Sequence, residues 1–136
     1  MTLVREIAEK WEAAVAKILI VDDEEGIRML YSMELRDDGY EVITLPDGRG
    51  LLDVVDSEQP DCIVLDIKMR EYDGLDLLQQ IRKRHYDLPV ILNSAYSSFK
   101  VDLKAVAADY YVVKSSDLTE LKEKLRVALE ARIPRD

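Results

Sequence analysis

Three carboxylates, one ammonium and one hydroxyl stand where they could do chemistry together. Asp22 and Asp23 follow the apolar run Lys17-Ile18-Leu19-Ile20-Val21. Asp66 closes the run Asp61-Cys62-Ile63-Val64-Leu65. Lys114 follows Tyr110-Tyr111-Val112-Val113, and the run Val90-Ile91-Leu92 ends at Asn93-Ser94. Short runs rich in branched residues suit strands buried on both faces. An acid has no use inside such a strand, so each one marks where a strand stops. In open parallel sheets that carboxyl edge is where ligands bind. If the first and third strands are neighbours, Asp22, Asp23 and Asp66 crowd one crevice. Like charges that close raise one another's pKa, and a divalent cation removes the conflict. Oxygen-only ligands and an octahedral preference point to Mg²⁺ or Mn²⁺. A hydroxyl from Ser94 and an ammonium from Lys114, facing that cluster, make a site for a small anion such as a phosphoryl group. Taken as a pair alone, Asp22-Asp23 read as helix N-caps, and Lys114 alone as a solvated strand end. The metal and anion reading rests on the constellation.

The elements that must position these groups alternate along the chain. Ile27, Leu30, Tyr31 and Leu35 give a helical stripe that stops at Asp38-Gly39. Glu41–Leu45 reads as the second strand, and Leu51, Leu52 and Val55 mark a second helix. Asp73-Gly74 is a turn, with Leu77, Leu78 and Ile81 in a third helix. A poorly patterned helix fits around residues 98–107. Leu118, Leu121, Leu125 and Leu129 mark the last helix, with Asp117 and Glu120 as a capping box. Strands that read as continuous apolar runs need helices on both faces. The expectation is α/β: a doubly wound, five-stranded parallel sheet. Leu3, Ile7, Trp11, Ala14 and Val15 form one further stripe, so residues 2–16 read as an extra helix or a leader. The expected organisation is an extension at 1–15, one domain at 16–131 and a tail at 132–136 too short to fold separately.

Composition narrows the function. The 136 residues are 48% hydrophobic and 35% charged, enough for one self-sufficient core. Net charge is −9, and the longest basic run is Arg82-Lys83-Arg84. That run suits a solvated helix end, and direct nucleic-acid binding is not expected. The single cysteine, Cys62, excludes a disulfide framework and suits core packing in a reducing cytoplasm. No apolar stretch reaches membrane-spanning length. His85, the one histidine, has no second histidine with which to share a metal.

Five fragments carry a resemblance: Ile20-Val21-Asp22-Asp23, Val64-Leu65-Asp66-Ile67-Lys68-Met69, Asp73-Gly74, Ser94-Ala95 and Tyr111-Val112-Val113-Lys114. In this order and near this spacing, the chain resembles the receiver domain of bacterial two-component response regulators. The resemblance implies a flavodoxin-like strand order 2-1-3-4-5. It implies that Asp66 accepts a phosphoryl group from a sensor histidine kinase or a phosphotransfer protein. Asp23 would bind Mg²⁺ directly, Asp22 partly through water, and the main-chain carbonyl of Lys68 would be a further ligand. Ser94 would hydrogen-bond the phosphoryl group, the N–H of Ala95 would face it, and Lys114 would pair with one of its oxygens. Tyr111 would be the aromatic switch. Lys68 and Tyr96 occupy positions that tune phosphoryl lifetime in the family, and neither can orient an attacking water, so self-dephosphorylation is expected to be slow. The domain would be a signalling module with self-phosphorylating ability, acting on a downstream protein target as a monomer or a phosphorylation-linked dimer.

The sequence also departs from that pattern. Ser115 follows Lys114 where the family usually has proline, so a trans bond is expected. Arg70-Glu71-Tyr72 replaces a proline-bearing loop, and the stretch from Ser94 to Tyr111 is about two residues shorter than the family's common pattern. Two other functions compete. A degenerate receiver would bind partners without phosphorylation, which the intact acid set disfavours. A haloacid-dehalogenase-type phosphohydrolase would need an acid two residues after its nucleophile, and position 68 is lysine.

Overall fold

The computed structural model describes residues 15–95 and 107–132. Residues 2–14 of the first stripe, Tyr96, all but Ala107 of the helix expected around 98–107, and 133–136 of the tail lie outside the described residues. Among the described residues five strands and four helices follow in order: β1 (Lys17–Val21), α1 (Glu25–Asp37), β2 (Glu41–Leu45), α2 (Leu51–Glu58), β3 (Cys62–Asp66), α3 (Gly74–Arg84), β4 (Val90–Ser94), β5 (Tyr110–Val113) and α4 (Thr119–Arg132). All strand pairs are parallel, in the order β2-β1-β3-β4-β5. The expected doubly wound sheet is therefore the observed one.

Side chains alternate across each strand, and this sheet has a core on each face. Leu19, Val21, Ile63, Leu65, Val90 and Leu92 pack with Leu51 and Val55 of α2 and Leu75, Leu78 and Ile81 of α3. Ile18, Ile20, Cys62, Val64, Ile91 and Val112 pack with Tyr31 and Leu35 of α1 and Leu121 and Leu125 of α4. That double cover is why β3 and β4 are buried at every position. Gly39, at φ 96°, ends α1: its N–H donates to Arg36 O and that of Tyr40 to Leu35 O. A left-handed turn of this kind favours glycine.

Three local expectations change. Val15 and Ala16, expected within the extra helix at 2–16, have no regular structure. The Ala16 carbonyl instead accepts from Glu41 N–H, beside the β1–β2 ladder. Asp117 accepts from the N–H and hydroxyl of Thr119, but its own N–H donates to Ser115 Oγ, in place of the Glu120 carboxylate expected of a capping box. Arg82 is no solvated helix end. Its guanidinium donates to the carbonyls of Ala107 and Leu88 and to the Asp109 carboxylate, binding α3 to the start of β5. Every peptide bond among the described residues is trans, Lys114–Ser115 included.

Candidate functional site

Parallel register brings the acids together. Val21 lies opposite Leu65, so the residues that follow, Asp22 and Asp66, leave neighbouring strands at the same edge. Asp22, Asp23 and Asp66 each offer a carboxylate oxygen, and these atoms lie within 4.8 Å of one another. Asp22 and Asp66 are buried, while Asp23 is half-buried. Lys114 reaches them from the end of β5. Its Nζ lies 2.9 Å from Asp22 Oδ2, 3.0 Å from Glu24 Oε1 and 3.3 Å from Asp66 Oδ2. Its own N–H donates to Ser94 O at 2.6 Å, which joins the ends of β4 and β5.

Backbone packing fixes Asp66. The loop after β3 folds back so that Gly74 N–H donates to Ile67 O at 2.7 Å. A Cβ at Gly74 would fall 2.1 Å from the Asp66 carbonyl oxygen and 2.8 Å from Ile67 Cα. Only glycine permits this approach. Asp73 caps α3 by accepting from Leu75 N–H at 2.8 Å, and it forms an isolated antiparallel bridge with Lys68. Lys68 thus sits in the loop two residues past Asp66, with its side chain exposed.

The electrostatics are unbalanced. Burial, reinforced by Asp22 and opposed by Lys114, pushes the Asp66 pKa up to about 6. Burial likewise raises that of Asp22, against hydrogen bonding from Glu24 N–H and Lys114. Burial opposes the Lys114 charge, but its bonds to Asp22 and Glu24 outweigh that and hold it above the ordinary lysine range. Asp66 Oδ2 is buried without a hydrogen-bond partner; Lys114 touches it as an ion pair outside hydrogen-bonding geometry. A buried carboxylate oxygen left this way is costly. An oxygen-only acid cluster with an orphaned carboxylate fits a hard divalent cation.

Asp22 combines both readings open to it. Its Oδ1 holds the turn into α1 through Glu24 N–H, and its Oδ2 faces Lys114. Ser94 is buried at the end of β4. Tyr111 pairs in register with Leu92 and packs into the α2–α3 core, so by strand alternation Ser94 and Tyr111 share a face. Ala95 is exposed beside Ser94. Cys62 is plain core. His85 Nε2 lies 2.7 Å from Asp56 Oδ1, a partly exposed contact with an acid outside the cluster of Asp22, Asp23 and Asp66.

Sequence reasoning missed Glu24 as a third contact of Lys114, and it took Tyr31 and Asn93 as no more than a stripe residue and a strand end. Tyr31 Oη donates to Asn93 Oδ1 at 2.9 Å, and Asn93 Nδ2 donates to Val112 O at 3.0 Å, all of it buried. An asparagine among Val90-Ile91-Leu92, where β-propensity disfavours it, was the available signal.

Comparison with known proteins agrees with this geometry. Residues 18–126 match the response regulator receiver domain family. The chain is 40% identical over 115 residues to a probable transcriptional regulator, ycf27, of Galdieria sulphuraria, covering 83% of this chain and 45% of that protein. It is 35% identical over 122 residues to the response regulator MprA of Mycolicibacterium vanbaalenii, covering 88% and 53%. The chain therefore spans about half the length of these curated relatives. Among solved structures it is similar to the response regulator TrrA of Thermotoga maritima in complex with Mg²⁺–BeF, with 43% identity, a TM-score of 0.80 and coverage of 85% and 100%. A second structure, of the histidine kinase ThkA in complex with TrrA, gives 43% identity, a TM-score of 0.79 and coverage of 85% and 99%. With its strand order, acid cluster and matched residues in agreement, this chain belongs to the response regulator receiver domain family of two-component systems.

Proposed function

We propose that this domain accepts a phosphoryl group on Asp66 from a phosphohistidine of a sensor kinase or phosphotransfer protein, and signals through the face that carries Ser94 and Tyr111. The observation that carries this reading is the buried Asp66 Oδ2, without a hydrogen bond, among Asp22, Asp23 and Lys114. At neutral pH a carboxyl with a pKa of about 6 is mostly ionised, so Asp66 offers a nucleophilic oxygen. That oxygen bonds to phosphorus as the bond from phosphorus to the donor nitrogen breaks. Asp22, Asp23, Asp66 and the main-chain carbonyl of Lys68 would hold Mg²⁺, which would neutralise charge on the transferring group.

Lys114 then moves from Asp22 and Glu24 to a phosphoryl oxygen, and Ser94 donates its hydroxyl to another. Drawing Ser94 inward opens room on the face it shares with Tyr111, whose ring follows. Lys68, exposed in the loop two residues past Asp66, would restrict attacking water, so that the phosphoryl group is held rather than quickly hydrolysed. Support for the partner comes from the similar TrrA, solved in complex with a histidine kinase.

We assign the switched face a protein target and the domain a cytoplasmic place. No helix among the described residues is long and apolar enough to cross a membrane. One relative is named a probable transcriptional regulator. The expectation of no nucleic-acid contact accordingly applies to this acidic domain, not to the longer proteins it resembles.

The test is incubation with acetyl phosphate and Mg²⁺, read by intact mass. The wild type should gain one phosphoryl group, and Asp66→Asn should gain none. Full incorporation in the variant would move the acceptor elsewhere.

A further inference from the structure

Tyr31 is among the largest fully buried side chains of the molecule. It carries a hydroxyl into a core where phenylalanine would pack as well. Burial pushes its pKa upward, so the hydroxyl stays a donor. Its acceptor, Asn93 Oδ1, is fixed in orientation, because the amide nitrogen is committed to Val112 O, which can only accept. Asn93 lies opposite Asp66 on β3 and opposite Val112 on β5. It immediately precedes Ser94, and Val112 stands two residues before Lys114. By strand alternation Asn93 follows Ile91 onto the α1–α4 face, as Asp66 follows Val64 and Asp22 follows Ile20. One amide thus sits at the crossing of the strands that deliver Asp66, Ser94 and Lys114, and one hydroxyl ties it to α1.

We propose that Tyr31 and Asn93 are a positioning pair, setting the spacing of Asp66, Ser94 and Lys114 for phosphoryl transfer and coupling that spacing to α1. The inference rests on the phosphoacceptor reading above. Removing the Tyr31 hydroxyl leaves Asn93 Oδ1 buried and unpaired, and the amide then turns or the strands shift to find a donor. Replacing both partners by apolar groups removes the unsatisfied amide oxygen and so offsets part of the loss, but takes the Nδ2 donor from Val112 O and leaves β4 and β5 without their side-chain tie.

That asymmetry supplies the test. Phosphorylation of Asp66 by acetyl phosphate with Mg²⁺ is timed in the wild type, in Tyr31→Phe and in Tyr31→Phe/Asn93→Leu, alongside urea unfolding of each. The amide NMR shifts of Ser94 and Lys114 are recorded for the wild type and Tyr31→Phe. In the positioning case Tyr31→Phe slows phosphorylation about fivefold to tenfold, a barrier change of about 1 to 1.4 kcal/mol, and moves both amides. The double variant then regains stability while phosphorylation stays slow. If the double variant regains both, the pair is ordinary packing and the proposal is overturned. It is equally overturned if Tyr31→Phe keeps the wild-type rate and shifts, a result that stands even if the double variant does not fold. No incorporation in the wild type would remove the phosphoacceptor reading and this one with it.

Discussion

The two edges of the sheet are built from the same strands and treat charge in opposite ways. At the amino edge Lys17 opens β1. Its N–H donates to Asp61 Oδ2 at 2.8 Å, and its Nζ lies 3.2 Å from Glu58 and 3.9 Å from Glu41. These groups are partly or well exposed, and the lysine is surrounded by acids that water also solvates. At the carboxyl edge Lys114 faces Asp22 and Asp66 with both acids almost wholly buried, at 3% and 5% side-chain exposure. Exposed pairs contribute little because water already screens them. Buried charges are costly unless their geometry and hydrogen bonding are complete, and here one oxygen of Asp66 has no hydrogen bond. The amino edge closes the fold. The carboxyl edge holds an excess of buried negative charge that a divalent cation would relieve.

The contrast is broken most directly at Lys114. Lys114→Met should slow phosphorylation by acetyl phosphate about 100-fold, the usual effect of removing a group that stabilises transition-state charge. It should also lower unfolding free energy by about 3 kcal/mol, since it strands two buried carboxylates. Quench-flow phosphorylation and urea unfolding read the two effects, and a variant as stable as the wild type would place the acids in contact with water.

Gly74→Ala tests the backbone at the same edge. The added methyl meets the Asp66 carbonyl at 2.1 Å, so chain must shift under the acceptor. A loss of about 3 kcal/mol is expected, at the upper end for overpacking. Thermal and urea unfolding would measure it, and an unchanged midpoint would mean the loop moves freely away from Asp66.

The pH dependence sharpens the comparison. Asp66 holds its proton more tightly in the fold, at about 6, than its ordinary 3.8. Its contribution to stability is therefore fullest below pH 4, falls as pH rises toward 6 and levels off above it. The full change is at most about 3 kcal/mol. Without Mg²⁺, Asp66→Asn should be more stable than the wild type at pH 7.5, and the difference should close near pH 4. Urea titrations at the two pH values would show it, and adding Mg²⁺ should stabilise the wild type more than the variant.

The smallest effect belongs to the amino edge. Glu58→Ala removes an exposed partner of Lys17 and should change stability by no more than about 0.5 kcal/mol. Phosphorylation should not change. A slower phosphorylation rate there, measured by intact mass over time, would show that the two edges communicate through β1.

Much of this was readable from the chain alone. Five short runs rich in branched residues, four of them ended by a polar group, determined the strands, because a strand covered on both faces must be mostly apolar. The placement of Asp22, Asp66 and Lys114 just past those runs determined the candidate site residues. Asp73-Gly74 was legible as a turn, although not as the place where backbone crosses Asp66. What the sequence left open were contacts between distant residues. Tyr31 and Asn93 are 62 residues apart, and each has an adequate local reading, one as helix stripe and one as strand end. Arg82 reads as a helix-end charge until Ala107, Leu88 and Asp109 surround it. Glu120 suits a capping box until Ser115 takes the Asp117 N–H. Periodicity and caps are written in neighbouring residues, so the chain specifies them locally. The meeting of three acids with one lysine depends on which strands lie side by side, and only the tertiary packing of two cores on one sheet decides that.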